Sequence, residues 1–101
     1  MEKIEILSDN IEDELQDAEK YARLALDCKD EDPATAELYY QLANEEIGHM
    51  NKLHDRVVSI INEYRKTNGD PPEAMKQVYN MLHKRHISHL ASTKGILGTY
   101  K

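Results

Sequence analysis

Residues 37–57, ELYYQLANEEIGHMNKLHDRV, decide how this chain folds. Tyr39, Leu42, Glu46, His49, Leu53 and Val57 recur in steps of three and four, and Ile60 and Tyr64 continue the series. That is the period of an α-helix with one face turned to a core. The stripe is apolar at both ends, and its middle is Glu46 and His49. A buried carboxylate without a partner is strongly unfavourable, so Glu on such a stripe calls for a cation, a proton or a hydrogen-bond network.

Working outward, Asp32 before Pro33 reads as an N-cap with proline in the opening turn, and Gly69 suits a left-handed C-cap. The helix is expected over residues 34 to 67, roughly 50 Å at about 1.5 Å per residue. A helix of that length needs partners along it. On the N-terminal side, Ile4, Leu7, Ile11, Glu14, Ala18, Tyr21, Ala25 and Cys28 form a matching stripe on a first helix over residues 3 to 29, with Glu14 as its one charged member. The connection at DEDP, residues 30–33, is short enough for an antiparallel hairpin, which brings the Glu14 level against the Glu46 level. His49 lies one turn beyond Glu46, so its ring nitrogen converges with the Glu46 carboxylate on one ion. Glu14, Glu46 and His49 are therefore the candidate metal ligands.

On the C-terminal side, Asp70 followed by Pro71 and Pro72 suits the start of a third helix over residues 72 to 98, and Gly95 and Gly98 suggest a fraying end. Its stripe is Met75, Tyr79, Leu82, His86, Leu90, Thr93, Leu97 and Tyr100. The expected fold class is all-α: a long antiparallel helical hairpin plus a third helix in a single domain over residues 1–101. At 101 residues a chain buries only about two-thirds of its unfolded surface, so a deep core must be shared or elongated.

Composition narrows the function. The formal net charge of −6 provides no basic stripe for phosphates, which argues against nucleic acid and favours cationic partners, metal ions included. The opening segment MEKIEILSDNIEDELQ has neither a basic start nor an apolar run, and no stretch approaches spanning length, so no membrane role is expected and the chain reads as cytoplasmic. Cys28, the single cysteine, rules out an internal disulfide and reads as a small buried hydrophobe.

ELQDAEKYARLAL followed by AELYYQLANEEIGHMNKL resembles the first two helices of rubrerythrins and related ferritin-like proteins. Glu14 and Tyr21 match the Glu and the later Tyr of that family's first helix, and Glu46 and His49 match its Glu-x-x-His. The resemblance covers residues 8 to 56. It implies a carboxylate-bridged di-iron site, with manganese or zinc as alternatives, and a ferroxidase or peroxide-handling activity. A complete site takes one Glu from each of two helices and a Glu-x-x-His from each of two others. This chain carries half of that set, since no second Glu-x-x-His follows Pro72. A two-fold homodimer completes it, giving a four-helix bundle with a shared site, in the manner of the encapsulated ferritins that this plan resembles.

Two other readings stay open. One is a non-enzymatic helical assembly protein whose Glu and His merely set register. The other is a monomeric zinc site in which His86 and His89, from the HKRHISH run at residues 83–89, join Glu46 and His49. Against it, HKRHISH also reads as a polar helix face with one satisfied His. Tyr21 and Tyr39 are candidates for hydrogen bonds to the site's carboxylates or for lining an oxidation site, with core packing as the default. His54 is expected at the surface.

Overall fold

The computed structural model describes residues 2–101. It is all-α, with α1 at Glu2–Cys28, α2 at Pro33–Asn68 and α3 at Glu73–Tyr100. The boundaries follow the local chemistry. Asp32 caps α2, its carboxylate accepting from the Thr35 amide at 3.2 Å and the Thr35 hydroxyl at 2.6 Å, with Pro33 in the first turn. Those bonds hold the Asp32 carboxyl below its ordinary range, the side-chain bond from Thr35 being the larger cause. Gly69 ends the helix at φ 75° and ψ −161°, a backbone region essentially reserved for glycine, and its N–H returns to the Arg65 carbonyl at 3.0 Å. The second junction differs from expectation. Asp70 does not cap α3: the carbonyl of Pro72 accepts from the Met75 and Lys76 amides, while the Asp70 side chain faces Arg65 and Lys76 at 3.8 and 3.6 Å.

The helices run up, down and up in a bundle of 56 × 18 × 18 Å. α1 and α2 form the antiparallel hairpin, and α3 lies beside α1. Ala18, Ala22 and Ala25 of α1 and Ala36 and Ala43 of α2 are fully buried, and such small side chains let the two backbones approach closely. Ile11 and Leu15 fill the centre, joined by Ile47, Met50 and Val57. The α3 stripe is as read from its spacing, with His86, Thr93 and Leu97 buried. The helix continues through Gly95 and Gly98 to Tyr100. Tyr100 stacks on Tyr40 with ring centroids 5.0 Å apart and donates to Glu37 at 3.1 Å, and Lys101 lies over Tyr40, so the last turn is tied to the start of α2. No helix among the described residues is long and apolar enough to cross a membrane.

One correction bears on function. Ile4, Ile11, Ala18 and Ala25 of the first stripe and Val57 of the second are buried as expected, but Glu14, Glu46 and His49 flank the core instead of facing it. α1 buries Ile4, Ser8, Ile11, Leu15, Ala18, Ala22 and Ala25, so Ser8, Leu15 and Ala22 take the inward positions assigned to Leu7, Glu14 and Tyr21. α2 buries Ala43, Ile47 and Met50, each one residue past Leu42, Glu46 and His49, a rotation of about 100°. The apolar arc of each helix is wide enough for either phase, and the phase that buries only apolar or small side chains is lower in free energy than one that buries carboxylates.

Candidate metal centre

The hairpin brings Glu14, Glu46 and His49 together beside the core, on the flank of the α1–α2 seam. One ligand atom from each lies within 4.8 Å of the others, and among the described residues this is the one group of three or more such side chains gathered that tightly. His49 Nδ1 is 3.6 Å from Glu14 Oε2 and 3.7 Å from Glu46 Oε2. Both exceed a hydrogen bond, and both approach the roughly 3.3 Å that separates donors sharing a tetrahedral ion at about 2.0 Å. The Glu14 and Glu46 side chains are 28% and 19% exposed and His49 is 55% exposed, so the group opens outward through the imidazole.

The electrostatics are those of a site lacking positive charge. Hydrogen bonding to Glu14, then burial, then the Glu14 charge raise the Glu46 carboxyl to about 7; His49 opposes them and Asp17 adds to them. Two carboxylates side by side do not both ionise readily, and a proton between them relieves the repulsion. Glu14 Oε2 is buried and without a hydrogen-bond partner. A bound cation answers both conditions: it replaces the shared proton and gives that oxygen a partner. Carboxylate and imidazole suit divalent iron, manganese or zinc, so the residues present fit the group.

Tyr21 and Tyr39 lie one heptad from Glu14 and Glu46, and their rings stack with centroids 6.0 Å apart. The structure thus puts both tyrosines on the same flank of the hairpin as the triad. His86 and His89 are elsewhere. They pack against Glu12 and Glu19 of α1, His89 Nδ1 lying 3.0 Å from Glu12 Oε1, and do not join Glu46 and His49. His54 is not a surface residue: it is half-buried, stacked on His83 at 5.2 Å, with a buried Nε2 that has no partner. The sequence reading passed over Glu12 and Glu19. Their signal is the seven-residue spacing, which sets two acids on one face of α1, flanking the core stripe opposite Glu14 and Tyr21. Comparison with protein-family models, with curated proteins and with solved structures finds no match to this chain.

Proposed function

We propose that this protein binds a pair of divalent metal ions, of the iron or manganese class, in a ferritin-like carboxylate site that two copies build together, each giving Glu14, Glu46 and His49. The observation that carries the reading is the convergence of those three donors on the flank of the hairpin, where the carboxylates are one cation short and the imidazole opens outward. Two such sets face to face provide four carboxylates and two imidazoles. Their charge balances two divalent ions, and the donor types are those of di-metal carboxylate bundles. The half-buried apolar residues of the same flank, Tyr39, Leu42 and Leu53 among them, supply the surface for the second copy.

Within the site each residue has a distinct part. Glu14 presents its unpartnered Oε2 to the ions. Glu46 gives up the proton that it shares with Glu14, so metal uptake near neutral pH releases protons. His49 coordinates through a neutral ring nitrogen. When bound, the ions supply the redox chemistry, Fe(II) being oxidised with dioxygen or peroxide as the oxidant.

The test is metal analysis of untagged protein from iron- and manganese-supplemented cells, followed by anaerobic Fe(II) titration with the oligomeric state measured alongside. The expected result is one ion per chain in a dimer or a multiple of it, lost on Glu14→Ala and on His49→Ala. A folded protein that takes up no iron, manganese or zinc sinks the reading and leaves the triad as a device that sets helix register. Metal retained on a strict monomer sinks the shared site.

A further inference from the structure

α3 packs beside α1 and hardly meets α2, so the seam between α2 and α3 stays open. Near the turn that joins these two helices it widens into a cavity of about 220 Å³. Val58 and Ile61 of α2, Val78 and Leu82 of α3 and the buried Ile4 of α1 give the cavity an apolar wall. Two cations stand on the same lining at the turn end, Arg65 in the last turn of α2 and Lys76 in the first turn of α3. Glu5 is the one acid among the described lining residues, so the cavity carries a net positive charge in a chain whose total is −6. An apolar wall with a few polar groups gathered at one end is the build of a small-molecule site.

Asp70 reveals what those cations are placed to hold. One oxygen of its carboxylate faces Arg65 Nε at 3.8 Å and the other faces Lys76 Nζ at 3.6 Å, so a single carboxylate spans both. Neither contact is as short as a hydrogen bond, and the Asp70 side chain is 75% exposed. Surface ion pairs of this kind contribute little to stability. Arg65 and Lys76 are thus arranged around a carboxylate that does not saturate them.

We infer that the cavity between α2 and α3 binds an aliphatic carboxylate, its chain lying along Val58, Ile61, Val78 and Leu82 and its head taking the place of Asp70 between Arg65 and Lys76. The exchange favours the ligand on both counts. Its chain takes the apolar wall out of water, which tightens binding about fourfold for each methylene buried. Its head is not tied to the backbone of the turn, so it closes to hydrogen-bond distance, and the Arg65 guanidinium offers paired N–H donors that match a carboxylate. Asp70 then acts as a built-in competitor that the ligand displaces. A cationic amphiphile of the same length is repelled by Arg65 and Lys76, and a neutral one leaves the ion pairs with Asp70 as they are.

The test is a titration of the full, metal-free chain with decanoate, decanol and decylammonium, each below its critical micelle concentration, followed by calorimetry and methyl NMR. Decanoate is expected to bind about tenfold tighter than either of the others and to shift the methyl signals of Val58, Ile61, Val78 and Leu82. Lys76→Gln should weaken decanoate about tenfold and leave decanol unchanged, with helicity by circular dichroism retained. Asp70→Asn should act in the opposite direction and tighten decanoate severalfold, because the competing carboxylate is gone. A surface that merely adsorbs apolar chains does not respond to that change. Decanoate bound no tighter than decylammonium, or bound indifferently to Lys76→Gln or to Asp70→Asn, overturns the proposal. So does movement of the same methyl signals when ligand-free protein is diluted, because a second copy then fills the seam.

Discussion

Glu46 shows how one position holds two demands at once. Its backbone belongs to the middle of a helix whose next residue, Ile47, is buried, so its side chain is held at the rim of the core beside Glu14. The consequence without metal is a pH effect with a definite sign. A carboxyl raised to about 7 in the fold, from an ordinary value of 4.5 in the unfolded chain, means that the native state holds the extra proton between those limits. Stability of the metal-free protein is then highest below about 4.5 on this account and is lost as pH rises through 7. His86 works in the opposite sense. Burial depresses it, so its contribution is present above the ordinary imidazole value and is lost as pH falls through its folded value. The two are separable by difference: Glu46→Gln should flatten the fall in melting temperature of metal-stripped protein between pH 5 and pH 8. An unchanged pH slope would show that the Glu14–Glu46 pair does not share a proton.

At the scale of the elements, the helix ends were readable where one residue type has one job. Asp32, Pro33 and Gly69 announce the limits of α2, and the structure uses Asp32 and Pro33 as expected and Gly69 at a positive φ, though with ψ −161° in place of the left-handed helical value, since an N-cap acceptor, a fixed φ and a positive φ are local requirements. Replacing Gly69 with Ala leaves open space around the new Cβ, yet φ 75° with ψ −161° strains an alanine, so the variant should lose about 1–3 kcal/mol in urea unfolding. The end of α3 was not readable from Gly95 and Gly98, because what holds it is distant in sequence: the ring of Tyr40, the carboxylate of Glu37 and the cations of Lys29 and Lys101 around Tyr100. Tyr100→Ala should therefore speed amide hydrogen exchange over the last two turns of α3 and leave the middle of α2 protected. Equal exchange in both proteins would mean that propensity alone keeps those turns helical.

At the scale of the molecule, a bundle 18 Å across and 56 Å long has a thin core, and among the described residues its largest fully buried apolar side chains are Ile11 and Leu15. Leu15→Ala removes one of them and should cost about 2–5 kcal/mol, a large part of the stability of a domain this size. Association through the α1–α2 flank would add a second source of stability, and that predicts a melting temperature that rises with protein concentration. Leu42→Lys, on the flank and half-buried, should abolish that dependence and the metal uptake together while circular dichroism stays helical. Metal uptake by a monomeric Leu42→Lys protein would detach the site from dimerisation.

The sequence by itself determined three helices, their order, two of their four inner boundaries in chemical detail and the grouping of Glu14, Glu46 and His49, because caps, periodicity and a short hairpin connection are local or nearly local properties. Only the tertiary structure decided which phase of each wide apolar arc turns inward. That choice rests on the summed burial of α1, α2 and α3 together: it placed Leu15, Ile47 and Met50 in the core, moved Glu14, Glu46 and His49 to the rim, and set His86 and His89 against Glu12 and Glu19. Carboxylates leave the centre of a seam whenever apolar side chains one position away are able to fill it, and no single helix records which of its neighbours will do so.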